Sequence, residues 1–94
     1  MVYVDELFVR GHWRYGPSCH LLPQTPADEK HLEELHAFAA TIGMRREWFQ
    51  SGRWPHYDLT KGRRLVAVRA GAVEITSREY IRATASRVTV TANS

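Results

Sequence analysis

The sequence predicts an α/β fold: a mostly parallel sheet of about three to five strands with three helices, packed as a two-layer or three-layer sandwich. Short β-branched and aromatic runs alternate with helical patterns along the chain, which is typical of strand–helix–strand units. The clearest strands are Val2–Val4 and Ala72–Thr76. Three separate helix starts carry capping residues.

The first strand ends at Asp5, so it brings a carboxylate to its carboxyl end. A second short strand is expected over Cys19–Leu22, closed by Pro23. Residues 8–18 between them contain glycines, a proline and aromatic residues, which indicates a loop. In open parallel sheets, ligands bind beyond the carboxyl ends of the strands, and Asp5 lies there.

The first helix is predicted over about residues 26–42. Thr25 can cap it, Pro26 suits its first position, and Asp28 at the third position suits the helix dipole. Gly43 is a typical stop. Apolar residues recur between these limits at helical spacing: Leu32, Leu35, Ala39 and Ile42.

The second half of the chain predicts two further helices. Residues 44–50 are ambiguous between a strand and a helical turn, and a loop rich in aromatic and basic residues follows to about residue 59. Thr60 can cap a helix that ends near Gly71. The pair Thr76 and Glu79 matches a capping box, which predicts a third helix over about residues 77–85.

The chain is predicted to form one domain over residues 1–86, followed by an edge strand or flexible tail over residues 87–94. Its 94 residues allow one modest core. A formal charge of +3 permits an anionic partner without requiring one. The lone Cys19 excludes an intrachain disulfide, and no signal-like or membrane-spanning run is present. These features predict a cytoplasmic protein that does not bind membranes.

Several short motifs, in order along the chain, resemble a known family. They are VYVD (2–5), Trp13, CHL (19–21), ELHAFA (34–39) with IG (42–43), WFQ (48–50), PHYDLT (55–60), RR (63–64) and GAVEI (71–75). This set resembles the bacterial and phage proteins grouped as domain of unknown function 4031, DUF4031, over about residues 2–78. The resemblance implies a small cytosolic domain and transfers no catalytic roles.

The pair His56 and Asp58 is the first candidate for chemistry. On an extended segment the two side chains point to one side, with Tyr57 opposite. Imidazole and carboxylate together suit a divalent-metal site or acid–base catalysis, and Asp5 and His20 are candidates to complete it. The predicted catalytic residues are His56, Asp58 and Asp5, and the same three are the candidate metal ligands. The alternative is that both residues of the pair serve only local hydrogen bonds.

Lys61, Arg63 and Arg64 occupy the first turn of the second helix, where cations oppose the helix dipole. A bound anion would relieve that conflict, so Arg63 and Arg64 are predicted to bind phosphate. Asp58 could relieve part of the conflict, and a solvated face without a ligand is the other interpretation.

Aromatic side chains supply the remaining candidates. Trp48 is expected in the core, whereas Trp54, between Arg53 and Pro55, is expected to be more exposed and able to stack on a base or a sugar. The alternative for Trp54 is an anchor that packs its loop over the sheet. The full set of predicted binding residues is Arg64, Arg63, His20, Tyr57, Trp54 and Trp13. Cys19 is expected to be buried, with His20 facing the opposite side of its strand.

Two functions of different classes follow from these patterns. The first is binding of a phosphate-bearing ligand, a nucleotide or nucleic acid, with phosphoester hydrolysis as the reaction if the chain is an enzyme. The second is a non-enzymatic interaction or homodimerisation module built on Trp54, Tyr57 and the C-terminal tail. A metal-dependent nuclease ranks below both, since it needs three or four clustered carboxylates.

Overall fold

The computed structural model describes residues 1–9, 11 and 16–93, with side chains as far as Ala85. These residues form four strands and three α-helices, which confirms the α/β class. In chain order they are β1 Val2–Val4, β2 Ser18–Pro23, α1 Glu29–Thr41, β3 Tyr57–Thr60, α2 Lys61–Arg69, β4 Val73–Glu74 and α3 Ser77–Asn93, with a 3-10 helix at Arg46–Trp48. None of the described helices is long and apolar enough to cross a membrane.

The sheet is mixed, in the strand order β3-β2-β1-β4. Only β1 and β4 pair in parallel, whereas β1–β2 and β2–β3 are antiparallel. The expectation of a mostly parallel sheet is therefore not confirmed. A helix between two strands need not make a parallel crossover: after α1, the 3-10 helix and the bridge between Gln50 and His56 turn the chain back before β3.

Helix starts follow the predicted capping patterns in two of three cases. Thr60 accepts the Arg63 amide at 3.1 Å at the start of α2, and Thr76 and Glu79 bond reciprocally at the start of α3. For α1 the cap is Asp28, which accepts the amides of the next turn, so the helix begins after the predicted Thr25 and Pro26. An acidic side chain that can cap outcompetes the earlier threonine.

Two segments differ from expectation. Residues 57–60 were expected to lie in or beside a loop but form strand β3, because Tyr57 and Leu59 alternate with polar residues and are buried. Residues 87–93 were expected to form an edge strand or flexible tail, but α3 continues as a helix to Asn93.

The two faces of the sheet differ in composition. The apolar face packs against α1 and α2 and forms the core, with Val2, Val4, Cys19, Leu21, Tyr57, Leu59, Leu35, Ala39, Ile42 and Ala67. The opposite face, here called the histidine face, carries Tyr3, Asp5, His20, Leu22, His56 and Asp58. The beginning of α3 lies over it, where the Tyr80 hydroxyl donates to the Pro23 carbonyl at 2.7 Å. Trp48, expected in the core, is 47% exposed.

Candidate metal centre

Strand alternation and register bring three side chains together on the histidine face. His20 in β2 lies directly opposite Asp58 in β3, because the antiparallel register pairs these two residues. His56 precedes Asp58 by two positions, so its side chain points to the same side of the sheet. Cys19 and Tyr57, next to these residues in sequence, point into the core.

The three side chains converge on one small volume. The Asp58 Oδ1 atom lies 3.5 Å from His56 Nε2 and 3.9 Å from His20 Nε2. The two imidazole rings meet edge to face, with centroids 4.8 Å apart. One ligand atom from each of the three residues lies within 4.8 Å of the others. Two atoms that are both bound to one metal at about 2.0–2.2 Å lie slightly closer to each other than these ligand atoms do. Small side-chain movements would therefore bring all three within binding distance of one metal.

Hydrogen bonds at the far side of each ring determine which nitrogen faces that volume. His20 Nδ1 lies 2.7 Å from Asp5 Oδ2, and His56 Nδ1 lies 2.7 Å from the Trp54 carbonyl oxygen. A carbonyl or an ionised carboxylate only accepts, so both Nδ1 atoms carry the hydrogen. In each neutral ring, Nε2 therefore has its lone pair on the side of Asp58.

The supporting groups are themselves held in place. Asp5 is 1% exposed, and its Oδ1 accepts the His20 backbone amide at 2.6 Å. Asp58 Oδ2 accepts a hydrogen bond from the Gln50 side-chain amide. Each of the three converging side chains thus has a second partner that orients it, as protein metal ligands usually do.

A cleft of about 290 Å³ opens beside the three side chains. It lies between the sheet, the beginning of α3 and the segment that carries Trp54, and it is lined by Asp5, His20, Leu22, Trp54, His56, Ser77, Tyr80 and Ile81. Trp54 and Tyr80 meet edge to face at 6.2 Å, so Trp54 packs over the sheet rather than projecting freely. The histidines form one end of a largely apolar cleft.

A family model described as a protein of unknown function, DUF4031, matches residues 2–87 of the chain. The chain belongs to this family. The expected family membership is confirmed, and the match covers the sheet, the three converging side chains and the cleft. Comparisons with curated proteins and with solved structures found no match.

Three of the predicted binding residues, Tyr57, Arg63 and Arg64, do not line the cleft of this DUF4031 domain. Tyr57 is 1% exposed on the apolar face, where its hydroxyl lies 2.9 Å from His36 Nδ1, so it contacts neither the cleft nor the surface. Burial raises the pKa of the Tyr57 hydroxyl. Arg63 and Arg64 are engaged elsewhere, and Trp13 lies outside the described residues.

The two arginines contact carbonyl oxygens of other elements. Arg63 donates to the Ile42 carbonyl at 2.7 Å, at the end of α1. Arg64 donates to the Asp5 carbonyl at 2.9 Å and to the Glu74 carboxylate at 2.9 Å. Arg63 thus lies at the C-terminus of α1, which attracts positive charge, and Arg64 is paired with a carboxylate.

Cys19 has the character expected of a small buried residue. Its side chain is fully buried, and burial raises the pKa of the thiol to about 12. A thiol with so high a pKa is protonated at neutral pH and is a poor nucleophile. Cys19 lies in the core and the His20 side chain lies on the opposite face of β2, so the two side chains do not form a catalytic pair.

Sequence reasoning missed Gln50 and the cleft residues Leu22, Ser77, Tyr80 and Ile81. Gln50 reaches Asp58 only because residues 50 and 56 pair as an isolated bridge, which no local pattern indicates. Tyr80 and Thr84, by contrast, are buried at a spacing of four on α3, and that periodicity could have predicted a face packed on the sheet.

Proposed function

We propose that this domain binds a divalent transition metal through His20 Nε2, His56 Nε2 and a carboxylate oxygen of Asp58. The observation that carries the proposal is that Nδ1 of each ring lies 2.7 Å from an oxygen of Asp5 or of the Trp54 carbonyl, whereas the two Nε2 atoms lie 3.9 and 3.5 Å from Asp58 Oδ1. Two imidazoles and one carboxylate suit zinc or ferrous iron and leave coordination positions for a ligand.

The proposed metal ligands differ from those predicted from sequence, because His20 takes the place of Asp5. Asp5 is assigned as the residue that orients His20 rather than as a metal ligand, since both of its oxygens bond to His20. Gln50 has the same role toward Asp58. Such partners fix the ring tautomer and raise the basicity of the ligand.

We propose further that the metal binds the phosphate of a phosphate-bearing ligand. No lysine or arginine is among the described residues that line the cleft, and Arg63 and Arg64 are engaged with carbonyl groups. A metal held by the three side chains would place a positive charge at the histidine end of the cleft, where an anion could bind it. If the ligand is a phosphoester, a metal held by His20, His56 and Asp58 would lower the pKa of a water, which could then attack phosphorus as the bond to the leaving alcohol breaks.

Isothermal titration of the full chain with Zn²⁺ tests the metal site. We expect one equivalent to bind, and Asp58→Asn to lower the affinity more than about 100-fold, since even the loss of a group that only orients a ligand costs about 10–100-fold. Asp28→Asn is the matched control: Asp28 lies 3.8 Å from His31 in another Asp–His pair, and asparagine caps a helix equally well. Absence of stoichiometric binding, or equal affinities in the two variants, would overturn the proposal.

Phosphate binding is tested with inorganic phosphate in the presence and absence of Zn²⁺. Binding should require the metal and should survive Arg63→Met, which keeps the aliphatic stem of the side chain. Metal-independent binding that Arg63→Met abolishes would support the anion site at α2 instead. Release of nitrophenol from p-nitrophenyl phosphate by the zinc-loaded protein, and its loss in Asp58→Asn, tests hydrolysis.

A further inference from the structure

The walls of the cleft offer almost only carbon to a ligand. The polar atoms of two lining residues are already bonded within the protein: the Tyr80 hydroxyl donates to the Pro23 carbonyl, and the Ser77 hydroxyl donates to Glu6 at 3.1 Å. Leu22 and Ile81 add aliphatic surface, and Ile81 is 47% exposed at the rim. Apart from the histidines and Asp5, the cleft therefore favours an apolar group.

Trp54 gives that wall an aromatic surface with a defined position. Its ring packs edge to face on Tyr80 at 6.2 Å, and the Arg53 guanidinium lies 5.6 Å from its centroid. Its own carbonyl accepts the His56 Nδ1–H, so the residue that lines the apolar wall also orients a metal ligand. An aromatic group held against Trp54 would therefore lie beside the metal.

Resting on the proposed metal and phosphate site, we infer that the ligand is a small aromatic phosphoester of the size of a mononucleotide. Its phosphate binds the metal, and its flat ring lies against Trp54 in the cleft. The volume of about 290 Å³ is at the lower end of the range for small-molecule sites, which suits one ring rather than an extended chain. Aromatic side chains bind nucleobases by stacking regardless of base identity.

Phenylphosphonate and methylphosphonate are probes that differ only in the ring and resist hydrolysis. We expect the zinc-loaded protein to bind phenylphosphonate at least about 5-fold more tightly, the lower limit for stacking on one aromatic side chain. Trp54→Ala should remove most of this preference, measured as the ratio of the two phosphonate affinities at saturating Zn²⁺, so that a change in the metal affinity itself does not enter the comparison. Trp48→Ala is the control, since Trp48 is exposed and beside Arg45.

The outcomes separate this inference from the metal site. If Zn²⁺ fails to bind, the proposed function itself is wrong. If Zn²⁺ binds but the two phosphonates bind equally, or the preference persists in Trp54→Ala, the aromatic-ligand inference alone is overturned. Ile81→Ser provides a second variant at the exposed rim should Trp54→Ala fold poorly, and it should reduce the preference. Tighter binding of adenosine monophosphate than of phenylphosphonate would identify the ring as a nucleobase.

Discussion

The two faces of the sheet are built from alternate residues of the same strands, yet they are organised differently. On the apolar face, Leu21 and Leu59 are buried under α1 and α2 and have only carbon side chains. On the histidine face, His20 and Asp58 occupy the intervening positions and are held by hydrogen bonds. The first face is covered by two helices, whereas the second opens into a cleft.

This difference indicates how a chain of 94 residues accommodates both a core and a polar cluster. Stability comes from burial on one face, where dispersion and the hydrophobic effect need no directional partners. The geometry of the other face comes from a few directional bonds to buried or backbone acceptors, such as Asp5 and the Trp54 carbonyl. Substitutions on the two faces should therefore affect separate properties.

The largest expected effect lies on the apolar face. Leu21→Ala should lower the free energy of unfolding by about 2–5 kcal/mol, because Leu21 is fully buried and its removal leaves a cavity. Asp58→Asn, which keeps an acceptor for Gln50, should change it by less than about 1 kcal/mol in the absence of metal. Urea denaturation of both variants measures the contrast. Similar losses in the two variants would break the division between the faces.

The second prediction concerns Asp5, which orients His20 on the histidine face. Asp5→Asn should weaken Zn²⁺ binding about 10–100-fold, because a carboxamide can present a donor to His20 Nδ1 and favour the wrong tautomer. The neighbouring Glu6→Gln is the control, since Glu6 instead accepts the Ser77 amide at 2.8 Å at the start of α3. Calorimetric titration of the two variants distinguishes orientation of His20 from a general loss of negative charge.

The smallest expected effect concerns His36, which lies on α1. Burial, with a smaller contribution from Arg46, lowers the pKa of His36. The unfolded chain then binds more protons than the folded chain below the ordinary histidine pKa, so stability falls as the pH drops through that range. His36→Gln should flatten this slope in urea denaturation series. An unchanged slope would show that His36 titrates alike in both states.

Local patterns predicted the elements whose determinants lie close together in sequence. The caps at Thr60 and at Thr76 with Glu79 each involve residues three apart, and the common side of His56 and Asp58 follows from strand alternation alone. Strand β3 was missed because its alternation spans only four residues and directly follows a loop rich in aromatic and basic residues. The pairing of His20 with Asp58 depends on register across 38 residues and is not local.

The arginines of α2 show why the rest was beyond local reasoning. Their unfavourable position against the helix dipole was apparent from sequence, but their acceptors are far away along the chain. The Ile42 carbonyl is 21 residues from Arg63, and the Asp5 carbonyl is 59 residues from Arg64. An anion was inferred where the fold supplies carbonyl oxygens, because both relieve the same electrostatic conflict.

The most direct test of the central claim is a long-range ¹H–¹⁵N correlation spectrum of the histidine side chains, at a pH where the rings are neutral. His20 and His56 should both be Nδ1–H tautomers in the metal-free protein. Zn²⁺ should shift the Nε2 resonances of these two rings and leave His31 unaffected. An Nε2–H tautomer at either position, or a Zn²⁺ shift at Nδ1, would contradict that claim.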